Sequence, residues 1–192
     1  MKKHTSHLGI LALVLLALSI TQSVKANLVT NGGFEMGDFT GWTQSGTTDF
    51  TGVSGAFFGT PPHSGNFQAF FGPFGSHGFI TQNLATIPGR SYFFDFWLAN
   101  LGGPANFFAV NWGASTIFSL TDSPAFGYTK FTFNVTASTP STPLQFEFMQ
   151  NTSFFLLDDV VSVPDSSSTF SLLGLASLGI AALRRKLSPL RN

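Results

Sequence analysis

The sequence contains no cysteine. A disulfide framework and thiolate metal sites are therefore excluded. Charge is scarce as well, with Asp, Glu, Lys and Arg making up 9% of the residues. The formal net charge of zero hides an uneven distribution. Between Asn27 and Val163 the only basic residues are Arg90 and Lys130. Against them stand Glu35, Asp38, Asp49, Asp95, Asp122, Glu147, Asp158 and Asp159, which leaves this stretch six net negative charges. Nucleic-acid binding needs clustered Lys and Arg to neutralise phosphates, and so does an anionic membrane surface; this stretch suits neither. Catalytic signatures are missing too. The stretch has only His63 and His77, no Gly-x-Ser-x-Gly elbow and no His-x-x-x-His pair. Glycoside hydrolysis needs two carboxyl groups flanking a bond, and Glu35 and Asp158 have a better use, given below, while Glu147 alternates outward on a strand. The expectation is a protein that is not an enzyme; a hydrolase of matrix polymers is the weakest of three alternatives.

What is present is phenylalanine, 24 of 192 residues, with 20 glycines and 10 prolines. Such a chain builds sheets and short turns rather than helices. Apolar and polar residues alternate with period two in Ser91–Asn100, Tyr128–Thr136 and Leu144–Phe148. Asn106–Trp112 and Ser115–Leu120 flank a hairpin-like Gly113-Ala114, and Phe154–Val163 reads as a last strand. Pro88-Gly89, Gly102-Gly103-Pro104, Ser123-Pro124 and the Pro140–Pro143 stretch read as turns. Many short strands with turns at close spacing imply an all-β sandwich or barrel of one-domain size over 27–163. The Gly-, Phe- and Pro-rich region 52–79 reads as loops carrying aromatics, which either plug an open end of the sandwich or offer stacking surfaces.

The two ends are apolar in a different way. Lys2 and Lys3 precede an uncharged run, Leu8–Ile20, and then Val24-Lys25-Ala26. That is a signal peptide over 1–26, which implies the Sec export machinery and a signal peptidase cutting before Asn27. At the other end Val163-Pro164-Asp165-Ser166-Ser167 leads into an apolar run, Phe170–Leu183, and then Arg184-Arg185-Lys186. As a helix this run would be about 21 Å long, short of the roughly 30 Å bilayer core. The basic cluster after it belongs on the cytoplasmic side. The tail, 164–192, thus holds an exported domain at the inner membrane, transiently or permanently.

Motif, apolar run and basic cluster together resemble the PEP-CTERM class of sorting signals, in its VPDSG variant, with Ser167 where the usual residue is Gly. The resemblance implies processing by an exosortase-type enzyme near Pro164-Asp165, and display at the cell surface or in an exopolysaccharide or biofilm matrix.

A second resemblance spans the domain. Asn31-Gly32-Gly33-Phe34-Glu35 at its start and Leu157-Asp158-Asp159-Val160 in its last strand are similar to the galactose-binding-like jelly rolls, which include carbohydrate-binding modules. The resemblance implies a jelly-roll β-sandwich with the two ends side by side. It also implies a structural calcium site on the Gly33 carbonyl and the carboxylates of Glu35 and Asp158, with Asp159 as substitute. Such oxygens suit calcium, which takes six to eight of them. The alternative is that Glu35 and Asp158 accept hydrogen bonds from turn N–H groups without a metal. For a glycan platform, Trp97 with Trp112 or Tyr128 are the candidate rings, set against core packing of each. The extracellular polysaccharide is then the partner.

Deleting Phe170–Asn192 is expected to release the protein into the medium. If the truncated and full chains partition identically between membrane and medium, the tail does not sort.

Overall fold

In the computed structural model the structure describes residues 26–165. The signal peptide before Ala26 lies outside them, as do Ser166, Ser167, the apolar run and Arg184, Arg185 and Lys186. Ten strands follow in order: β1 (Thr43–Gly46), β2 (Thr51–Ser54), β3 (Gln68–Phe71), β4 (Gly78–Ala85), β5 (Ser91–Asn100), β6 (Asn106–Trp112), β7 (Ser115–Thr121), β8 (Phe126–Thr136), β9 (Ser141–Gln150) and β10 (Phe155–Pro164). They form two five-stranded sheets, ordered β1-β4-β9-β6-β7 and β2-β3-β10-β5-β8. Every pairing is antiparallel. This is the expected all-β jelly-roll sandwich, with no helix among the described residues.

Alternation explains why these strands face one another. In β5, Tyr92, Phe94, Phe96 and Leu98 are buried, while Phe93, Asp95 and Trp97 face outward. In β9, Leu144, Phe146 and Phe148 are buried, with Gln145 and Glu147 between them on the outside. The inward rings meet across the gap between the sheets. Phe146 lies 5.4 Å from Phe96, 5.8 Å from Trp42 and 6.0 Å from Phe108, centroid to centroid. Each such ring, fully buried, contributes about 1.5–3 kcal/mol.

Three expectations need correction. Region 52–79 is not all loop, since it holds most of β2, all of β3 and the start of β4. Its alternation is broken by Gln68, a fully buried polar residue. The Gln68 amide donates to the carbonyls of Gly55 (2.8 Å) and Thr60 (2.9 Å), and its oxygen accepts from the Tyr128 hydroxyl. Pro140–Pro143 is not all turn, because β9 begins at Ser141. Pro143 is tolerated there because β6 ends at Trp112, opposite Leu144, so no ladder N–H is needed from position 143 on that side. The last strand also runs past Val163. Pro164 pairs with Tyr92, and the Asp165 N–H donates to the Ser91 carbonyl at 2.9 Å. The first residues of the sorting motif are thus part of the sheet.

The opening and closing segments do lie side by side. The Val160 N–H donates to the Gly32 carbonyl (2.9 Å), and a Cβ at Gly32 would stand 2.1 Å from the Val160 oxygen. Only glycine permits this approach. Further along, the Leu28 N–H donates to the Ser162 carbonyl and the Ser162 N–H to Asn27 Oδ1, both at 2.8 Å. The start of the domain and the exit to the tail therefore share one end of the sandwich.

Candidate functional site

The residues singled out from the sequence fall on three different surroundings. Trp112 is a core residue. It is 5% exposed, continues the inward set of Phe108 and Val110 on β6, and donates its indole N–H to the Thr136 carbonyl at 3.2 Å. It cannot serve a glycan platform. Trp97 and Tyr128 do share a surface, the outer face of the second sheet, where Trp97 pairs with Lys130 of β8 and Asp158 of β10. His63 joins them, and the sequence offered no sign of it. Its imidazole lies flat on the Trp97 indole (3.7 Å, 18°) and edge-on to Tyr128 (5.5 Å). Asp159 anchors the imidazole through Nδ1 at 2.6 Å. The position from which a sugar ring would stack on this face of Trp97 is therefore taken.

The acidic residues expected to hold calcium gather behind His63, around the loop 63–67. A Cβ at Gly33 would lie 3.5 Å from Asp159 Oδ1 and 3.7 Å from Asp158 Oδ1. Their oxygens, however, turn to hydrogen-bond donors of the loop. Glu35 accepts from the N–H groups of Asn66 (2.9 Å) and Phe67 (3.0 Å), which hold its carboxyl below the usual range. Asp158 accepts from the N–H groups of Ser64 (3.1 Å) and Asp159 (2.7 Å). Asp159 accepts from the Ser64 hydroxyl (2.8 Å) besides His63. As arranged, this set closes the loop onto the sheet. Asp158 is fully buried, and burial, reinforced by the neighbouring Asp159 charge, pushes its carboxyl up to about 6. Burial raises the Tyr128 phenol as well.

The outer face of the first sheet has a different character. Thr81 (β4), Gln145 (β9), Asn111 (β6) and Thr116 (β7) lie in one cross-strand row. They are linked edge to edge. Thr116 donates its hydroxyl to Asn111 Oδ1 (2.6 Å), Asn111 Nδ2 to Gln145 Oε1 (3.2 Å), and Gln145 Nε2 to Thr81 Oγ1 (3.1 Å). Four strands at the usual spacing make the row about 14 Å long. The next row carries half-buried Phe79, Glu147 and, between Glu147 and Ser119, the small Ala109. Glu147 is held by His77 Nδ1 at 2.5 Å, and Phe107 packs on that imidazole at 4.9 Å. This uncharged amide and hydroxyl row was legible only as the polar half of the alternation in β9 and β6; its cross-strand alignment was not.

Residues 162–187 match the VPDSG-CTERM motif. No curated protein matches the chain. The fold is shared with solved carbohydrate-binding modules. A CBM61 module, solved with β-1,4-galactotriose, superimposes with a TM-score of 0.61 at 18% identity, covering 73% of this chain and 99% of that one. A CBM22 xylan-binding domain gives 0.52 at 16% identity over 72% and 96% of the two chains. The K3 cleaved adhesin domain of Lys-gingipain from Porphyromonas gingivalis gives 0.53 at 17% identity over 72% and 98%. At identities this low the likeness is one of fold.

Two outcomes follow from the acidic group. Because N–H donors hold the loop 63–67, the melting temperature is expected to be equal in calcium and in excess EDTA; a higher value in calcium would put an ion on these oxygens. The Asp158 carboxyl lies at about 6 in the fold, above its ordinary 3.8. Its stabilising contribution is full below the ordinary value and is lost as pH rises through the folded one. Chemical unfolding at pH 4 and pH 7 should therefore show Asp158→Asn gaining on the wild type by about 1–3 kcal/mol between the two. A difference independent of pH contradicts the assignment.

Proposed function

We propose that the protein is an exported, non-enzymatic carbohydrate-binding module, sorted by its C-terminal tail through an exosortase-type enzyme to the cell surface or an exopolysaccharide matrix. The observation that carries the binding is the row Thr81, Gln145, Asn111 and Thr116 on an open sheet face. Sugar hydroxyls both donate and accept, and so do amide and hydroxyl side chains. An uncharged row of this kind, with Phe79 in the row beside it, suits a neutral glycan chain lying across the strands, with polar groups fixing its orientation and the ring meeting an apolar face. The matching sorting motif and the module-like fold support the same reading. Binding rather than hydrolysis is supported by the carboxyl count on this face. Glu147 is the only acidic residue beside the row and is engaged with His77, whereas glycoside hydrolysis uses two carboxyl groups across the bond.

Affinity electrophoresis of the purified protein in gels containing neutral polysaccharides tests this directly. Retardation in at least one gel is expected, and Gln145→Ala or Asn111→Ala should each weaken it by about tenfold, the equivalent of 1.4 kcal/mol. Free migration of the wild type in every gel would overturn the proposal.

A further inference from the structure

The end of the sandwich opposite both termini carries aromatic residues that the core does not explain. Phe50, Phe58 and Phe74 are 66%, 77% and 68% exposed. Phe70 alternates with the core residues Ala69 and Phe71 and so lies on the outer face of the second sheet, where Phe57 stacks on it at 4.1 Å with Phe154 edge-on to Phe57 at 4.8 Å. Phe58 stands on that base, 4.8 Å from Phe57 and 5.4 Å from Phe154, and projects outward.

Backbone conformation adds a second, independent sign. Phe50 has φ of 52° and Phe58 has φ of 47°. A bulky side chain is strained in this left-handed region, where glycine or asparagine would sit with less strain. At a buried position such as Phe34, which also has positive φ, packing offsets the strain. At Phe50 and Phe58 little burial does so. Strain kept at exposed rings points to a role outside the fold.

Between the three rings lie two adjoining open depressions that share Thr152, Ser153 and Phe154, and Asn151 lines one of them. No charged side chain lines either. Asn151 is fixed by the Gly75 N–H (2.8 Å), and Thr152 donates its hydroxyl to the Gly103 carbonyl (3.1 Å). Rings around a fixed, uncharged polar floor suit a pyranose, whose C–H face stacks on aromatics while its hydroxyls reach amides and hydroxyls. An anionic lipid surface would call for basic residues, and the domain carries six net negative charges. Strand β10 begins beside this end and finishes at Pro164 at the other.

We infer that Phe50, Phe58 and Phe74, around Asn151, Thr152 and Ser153, form a second glycan-contact site at the tip where β10 begins, which takes the apolar face of uncharged pyranose residues. The inference rests on the carbohydrate-binding reading above and adds a site separate from the sheet-face row.

The test is the full chain carrying Phe50→Ala, Phe58→Ala and Phe74→Ala together, with Phe58→Gly alone as a companion. Affinity electrophoresis in the polysaccharide that retards the wild type should show roughly a tenfold loss for the triple variant. Phe58→Gly should bind more weakly yet melt no lower than the wild type, a combination that a structural role would not produce. If the triple variant binds as the wild type while Gln145→Ala is weakened, the tip site is wrong and the sheet-face reading stands. If the wild type binds no polysaccharide, both fall. Sedimentation with phosphatidylcholine vesicles, or a concentration-dependent dimer, abolished by the triple variant without any loss of glycan binding, would assign the tip to a membrane or a second copy and overturn the inference.

Discussion

The fold depends on filling the gap between two sheets with aromatic rings, and Phe146 sits where that filling converges. Rings from the chain entry (Trp42), from β5 (Phe94 and Phe96) and from β6 (Phe108) all meet it. With no disulfide to staple the sheets, this packing supplies the cohesion. It also fixes what faces outward. A strand that sends Phe146 inward must send Gln145 and Glu147 outward, and one that sends Val110 inward must send Asn111 outward. The polar row on the first sheet is therefore the reverse side of the aromatic core, aligned by the same cross-strand pairing.

Much of this was legible in the sequence where alternation was clean. Strands β5 and β6 read with their full extents, and β8, β9 and β10 with their centres. Strand β4 was not read although it alternates over its eight residues, and shorter strands escaped for physical reasons. β1 is exposed along its whole length, β2 is half-buried throughout, and neither alternates. β3 opens on Gln68, whose burial is stabilised by three long-range hydrogen bonds that no local pattern reveals. Trp112 is a different case, since its parity with Phe108 and Val110 already marked it as inward and its place at a strand end misled.

Long-range loop placement decided the rest. The adjacency of the first and last segments was implied by the resemblance to the galactose-binding-like jelly rolls, but the donors that engage Glu35, Asp158 and Asp159 come from a loop some thirty residues from one and ninety from the others. The same loop sets His63 on Trp97. One segment thus engages the carboxylates of Glu35, Asp158 and Asp159 and also lies on the indole face that the sequence offered to a sugar. The sheet-face row and the far tip are surfaces that the loop leaves open, and it is there that binding is proposed. Strand β10 ties these surfaces to sorting, because it begins beside the tip at Phe155 and ends within the sorting motif at Pro164.

Backbone amide shifts in a titration with a neutral oligosaccharide would locate the binding surface residue by residue. The account predicts that on the two sheet faces the shifts gather at Thr81, Asn111, Thr116 and Gln145, with the Trp97 indole N–H unmoved. Shifts concentrated at Trp97, His63 and Tyr128, with the row silent, would contradict it and return the glycan to the face that His63 covers.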